Sequence, residues 1–162
     1  MIIYSDNNAT AALTDYIGIE SVSKIFNDLS LKFNPDQTLT DYISPKEYGL
    51  FVRGLLNSTY FNPEMSDRAV GLLGQSDFKE GLAAGLPEKI PVAHKHGELH
   101  GFYPNQLKKE VSQLHDCGII YYPGHPYLLC VMTKGGPDLT PLKSAIRAIS
   151  QLFYDLMKNV YP

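Results

Sequence analysis

Long apolar runs, cysteines in number and an excess of positive charge are all missing from this chain. Nothing approaches the roughly 18 apolar residues that a helix needs to cross a bilayer, so no membrane span is expected. The opening Met1-Ile2-Ile3-Tyr4 lacks the basic start and long apolar region of a secretory signal. If the parent protein is exported, that signal is expected upstream. Fourteen Lys and Arg stand against 17 Asp and Glu, a net charge of −3. That balance argues against a nucleic-acid partner and against a polybasic membrane surface. There are no repeats and no low-complexity tracts. The two cysteines, Cys117 and Cys130, make no disulfide framework. If Tyr122 pairs with Tyr127 across a hairpin, they stand diagonally, roughly 7–8 Å apart. That is poor geometry for a bridge, so two free, buried thiols are expected.

What is there suits one domain with a real core. The chain has 162 residues, 44% hydrophobic and 19% charged, which is ordinary for a globular protein. Helical spacing appears in Ala9, Ala12, Leu13, Tyr16 and Ile17, closed by Gly18, and again in Val22, Ile25, Phe26 and Leu29. Residues 30–43 are polar and turn-rich, with Asn34-Pro35-Asp36. Ser44-Pro45-Lys46-Glu47 is a capping box with proline at N1. It launches an apolar stripe of Tyr48, Phe51, Val52, Leu55 and Leu56. A further short helix carries Met65, Ala69, Leu72 and Leu73, entered near Asn62-Pro63 or Ser66.

Beyond residue 81 the pattern changes. Strands are expected at Ile90–Gly97, Gly118–Tyr122 and Tyr127–Thr133, the last two joined by a proline-glycine turn. Residues 98–114 read as a long polar connection. A final helix begins at Thr140-Pro141 and carries Leu142, Ala145, Ile146, Ile149, Leu152, Phe153, Leu156 and Val160. Helices first, then an antiparallel sheet, then one helix covering it make an α+β arrangement.

Several residue groups invite a chemical reading. His94 and His96, which flank Lys95, could with His100 or His115 offer imidazoles to zinc, since alternate strand residues share a face. No C-x-x-C or H-E-x-x-H accompanies them, so scattered strand histidines are the simpler reading. His115-Asp116-Cys117 cannot converge as a triad, because strand neighbours point to opposite faces. Ser21-Val22-Ser23-Lys24 and Ser76-Asp77-Phe78-Lys79 match S-x-x-K, but on segments that look like surface helix and loop. Ser5-Asp6-Asn7 alone is no more than a helix N-cap.

Taken in order, Ser5-Asp6-Asn7, Gly81-Leu82-Ala83-Ala84-Gly85-Leu86-Pro87 and Val92-Ala93-His94-Lys95-His96-Gly97-Glu98 resemble the S-D-N and K-T-G regions of class A β-lactamases and related penicillin-recognising serine hydrolases. The runs from His115 to Tyr121 and from Pro126 to Gly135 look like the two strands that follow. The resemblance spans the whole chain but about the second half of the family's domain. It implies that residues 1–162 are the C-terminal portion of a β-lactamase-like domain, with 1–80 mainly helical and 81–162 sheet plus terminal helix. In that family an S-x-x-K serine precedes S-D-N; here only four residues precede Ser5. An N-terminal half is therefore expected to be missing, and the chain to be inactive alone.

The resemblance also implies roles. Ser5 would relay a proton to the leaving nitrogen, and Lys95 would polarise Ser5 and attract a substrate carboxylate. Asn7 would hold a substrate amide, and the N–H of Glu98, just after Gly97, would supply half of an oxyanion hole. His96 stands where the family has threonine, so any part it plays with a carboxylate is expected to depend on pH. Leu31 to Ile43 holds no glutamate, only Asp36 and Asp41 as acids. That fits a penicillin-binding or carboxypeptidase-like acyl enzyme better than an efficient class A hydrolase. No cofactor is implied. The expected partners are a β-lactam or peptide-like small molecule, and the missing half, or a second copy met through the helical face around Ala9, Leu13, Val22 and Phe26 or by strand exchange. A binding module that kept the fold without the chemistry is the alternative, and a histidine-based metal protein a weaker one.

Overall fold

The computed structural model describes residues 1–31, 43–103 and 106–162. Asn34-Pro35-Asp36 and the two acids Asp36 and Asp41 lie outside the described residues. Four helices come first: α1 (Asn7–Ile17), α2 (Ile19–Asp28), α3 (Pro45–Leu56) and α4 (Pro63–Gly74). A 3₁₀ turn at Leu82–Gly85 leads into strands β1 (Val92–Tyr103), β2 (Gln106–Ile120) and β3 (Tyr127–Gly135), and α5 (Thr140–Val160) closes the chain. The sheet is antiparallel in the order β1-β2-β3. This is the α+β arrangement expected.

The helix starts follow from local chemistry. Asp6 Oδ1 accepts from the N–H of Ala9, and Asn62 Oδ1 from that of Met65. At α3 the capping box is complete: the Glu47 N–H bonds Ser44 Oγ, and Glu47 Oε2 accepts from the Ser44 N–H at 2.8 Å. Each such bond satisfies one of the donors a helix start leaves open. α5 begins differently, with the Thr140 N–H donating to Asp138 Oδ1.

Directly opposed residues in an antiparallel ladder share a face, which divides the sheet cleanly. One face carries Ile120, Leu114, Leu129 and Val131; they bury against Leu82, Leu142 and Ile146 under α5. The other face carries Ala93, Lys95, Cys117, Ile119 and Cys130 and meets α3 and α4.

Two expectations about the sheet need correction. Residues 98–114 are not a connection: β1 continues to Tyr103, β2 begins at Gln106, and Val111, Ser112, Gln113 and Leu114 are all buried. Their polar members bond each other, as in His100 Nδ1 to Ser112 Oγ at 2.8 Å, so polarity does not break the ladder. The cysteines are joined rather than free. Tyr127 pairs with Ile120, not Tyr122, which moves the register by two residues and sets Cys117 opposite Cys130. The turn explains the shift. The N–H of Tyr122 is taken by Ile120 O and that of His125 by Tyr122 O, with Gly124 at φ 72°, and Pro126 has no N–H for the ladder. Pairing therefore resumes only at Tyr127.

Candidate active site

Ser5 sits just before α1 with a left-handed backbone, φ 52°. A non-glycine residue held there costs about 1–3 kcal/mol and persists only where its surroundings fix it. Asp6, not Ser5, caps the helix, which leaves the serine hydroxyl free for another partner. That partner is Lys95: Nζ donates to Ser5 Oγ at 2.5 Å across 90 residues of sequence. The same ammonium donates to the His96 carbonyl at 2.6 Å. The N-terminal segment is held in place by a bond from the Asp77 N–H to Ile3 O at 3.0 Å. Burial pushes the Lys95 ammonium below its ordinary range, and the negative charge of Asp116 opposes that push.

The remaining residues of the expected site are spread around this pair. Asn7 is the exposed first residue of α1. Gly97 is exposed, and a Cβ there would meet nothing within 4 Å, so a ligand could approach the backbone closely. Glu98 is also exposed, and its carboxylate accepts from His100 Nε2 at 2.8 Å. His96 points to the opposite face from Lys95, as strand neighbours must. Its ring stacks on Phe78 at 4.2 Å between centroids. Its Nδ1 is buried and has no hydrogen-bond partner among the described residues. Burial first, and then the Lys95 charge, hold this imidazole below the ordinary histidine range.

The other sequence candidates resolve plainly. Ser21, on α2, bonds the carbonyl of Ile17 at the end of α1, while Lys24 pairs with Asp28. Ser76 is buried rather than on a surface loop, and Lys79 bonds its carbonyl, not its hydroxyl. His115 and Asp116 point to opposite faces, and Cys117 is in the disulfide. Among the described residues no three His, Cys, Asp or Glu side chains cluster to hold a metal ion. No helix among them is long and apolar enough to cross a membrane. Sequence reasoning missed Asp116 as a site residue. It lies opposite His96 on β2, a neighbour visible only once the register is known.

A family model described as the β-lactamase enzyme family matches residues 1–157. The chain belongs to that family. Solved structures agree on the fold. A representative of class A β-lactamase from Bacteroides cellulosilyticus DSM 14838 is 22% identical with a TM-score of 0.79. The similarity covers 96% of this chain and 60% of that one. PBP-A is 23% identical at a TM-score of 0.75, over 96% of this chain and 57% of its own. A β-lactamase from Sphaerobacter thermophilus DSM 20745 is 25% identical at 0.71, over 91% and 56%. Among curated proteins none matches. The chain thus spans less than two thirds of the length of these β-lactamase-family structures.

Proposed function

We propose that this chain is the part of a β-lactamase-like serine acyl hydrolase that carries the proton relay, acting on β-lactam or D-Ala-D-Ala-type peptide and amide substrates. The observation that carries this reading is the bond from Lys95 Nζ to Ser5 Oγ at 2.5 Å. In acyl transfer to serine, the leaving nitrogen must gain a proton as its bond to the carbonyl carbon breaks. In this reading Ser5 gives its hydroxyl proton to that nitrogen and recovers one from the attacking serine. Lys95 donates to Ser5 Oγ throughout, which stabilises the hydroxyl oxygen as its proton leaves, and its charge draws in a substrate carboxylate. His96 contributes through its carbonyl, which anchors the Lys95 ammonium. Asn7 holds the substrate amide, and the backbone at Gly97 and Glu98 offers an oxyanion donor beside open space.

The nucleophile is assigned to an S-x-x-K segment on a complementing N-terminal half, which also covers the exposed apolar residues of α1 and α2. A penicillin acyl-enzyme is recorded for a PBP-A variant, which supports β-lactams as the probe. With a fluorescent penicillin, the chain alone is expected to show no covalent label. Fused behind an S-x-x-K segment from a class A enzyme it is expected to label, and Lys95→Ala or Ser5→Ala to abolish or strongly slow that labelling. Label on Ser21 or Ser76, or a fusion that labels equally without Lys95, would overturn the assignment.

A further inference from the structure

Lys95 is gripped from behind. Its two sequence neighbours, His94 and His96, both point to the α5 face of the sheet. There His94 is 1% exposed and its Nδ1 lies 2.8 Å from Asp116 Oδ1, while Asp116 is wholly buried. The other carboxylate oxygen accepts from the N–H of Leu82 at 2.8 Å. Leu82 in turn offers its carbonyl to Ser150 Oγ of α5 at 2.8 Å. A line of hydrogen bonds therefore runs from the residue before Lys95, through Asp116, to the start of the 3₁₀ turn and on to α5. His96 is held on the same face by the Phe78 ring.

Two further details show how tightly the line is built. A Cβ on Gly118 would collide with His94 and with the Ala93 carbonyl, so the space opposite His94 is already filled by its own strand. A Cβ on Gly81 would fall on Asp116 Oδ2 and on the Phe78 ring. Both glycines are needed for this approach. A buried carboxylate is also a poor choice for stability alone, because apolar replacements of buried ionic groups are often neutral or stabilising. What the carboxylate secures here is position.

We propose that Asp116, acting through His94, is a positioning residue for the Ser5–Lys95 pair: it fixes the β1 backbone at the residue before Lys95 and sets a buried negative charge behind the ammonium. The inference rests on the proposed function only for its consequence in catalysis; the positioning itself concerns the free chain. The titratable groups whose fields meet in this cluster are His94, Lys95, His96 and Glu98 of β1, Asp116 of β2 and Tyr48 of α3. Of these charges, Asp116 is the one that opposes loss of the Lys95 proton.

The test reads the lysine rather than turnover. In chain labelled for NMR, the Lys95 side chain is titrated in wild type and in Asp116→Asn, with Lys24 as internal control, and contact between the Lys95 and Ser5 side chains is followed. Asp116→Asn removes the opposing charge at nearly constant shape. It is expected to move the Lys95 midpoint to lower pH and weaken its contact with Ser5, leaving Lys24 unmoved. A folded variant with midpoint and contact both unchanged overturns the inference. If Asp116→Asn does not fold, His94→Gln decides. It keeps the carboxylate and is expected to loosen the Lys95–Ser5 contact; an intact contact overturns the inference. Because no substrate enters, a fusion that fails to label with penicillin counts against the functional reading and leaves this result untouched.

Discussion

The two halves of the chain are finished to different degrees. On the α5 side of the sheet, Leu82, Leu114, Ile120 and Ile146 are completely buried, and even the polar His94 and Asp116 are shut away from water. α1 and α2 contain no buried residue at all. Leu13, Tyr16, Ile17 and Ile19 stand 46%, 88%, 48% and 44% exposed, a run of apolar surface rather than scattered single residues. The sheet half carries its own core; the first helices leave their apolar residues exposed. Ser5 belongs to the open half and Lys95 to the closed one. The proposed site is thus a joint between a part with a closed core and a part whose apolar residues stay exposed.

The sharpest test of this contrast compares two leucines. Leu114→Ala empties a fully buried position in the sheet core and is expected to lower stability by about 2–5 kcal/mol in urea unfolding. Leu13→Ala on α1 is expected to change it by about 0.5 kcal/mol or less. A large loss at Leu13 would mean that α1 is covered in solution, and its dependence on protein concentration would show whether a second copy covers it.

The disulfide gives the next effect in size. Cys117 and Cys130 are 13 residues apart, and closing a loop of that length is worth about 3 kcal/mol in the chain-entropy model. The Cys117→Ser, Cys130→Ser double variant is expected to lose stability on that order and to lose amide protection first along β2 and β3. If protection falls first in α1 and α2 instead, the halves are coupled more tightly than their burial indicates.

How far the sequence could be read follows the same division between local and distant effects. The capping box at Ser44, the Asn62 start and the close of α1 at Gly18 depend on residues within one turn, and they stand where the spacing put them. The faces of the strands were legible because alternation has a fixed period of two. Register was not: it depends on which N–H groups the turn consumes and on Pro126. The disulfide was hidden behind that two-residue shift. The length of the β1–β2 hairpin was hidden for another reason. Its polar side chains satisfy one another across the strands, which no single strand reveals. The approach of Ser5 to Lys95 was anticipated only through the family resemblance, since nothing local to either residue calls for the other. Asp116 went unread because its partners, His94 and the Leu82 N–H, lie 22 and 34 residues away.

The smallest expected effect separates the halves by acidity. His96 is held below the ordinary histidine value of 6.5 by burial first and the Lys95 charge second, and His115 by burial. Both sit on the sheet. With the folded value below the unfolded one, the unfolded chain binds more protons, so stability is full above about pH 6.5 and is lost as pH falls toward the folded value. The carboxylates of the first helices behave otherwise. The Lys24 bond holds Asp28 below its ordinary 3.8, and the Ser44 bond holds Glu47 below its ordinary 4.5. Their contributions persist until pH falls through the carboxylate range. Between about pH 7.5 and about pH 5.5, then, acid is expected to weaken the sheet half while the caps and ion pairs of the helices stay intact. Urea unfolding at the two pH values measures the loss. His96→Phe keeps a ring against Phe78 and removes the titrating group, so it is expected to flatten the slope in part, with His115 supplying the remainder. An unchanged slope in His96→Phe would place the acid sensitivity elsewhere and would show that the unpartnered Nδ1 of His96 is protonated as easily in the folded chain as in the unfolded one.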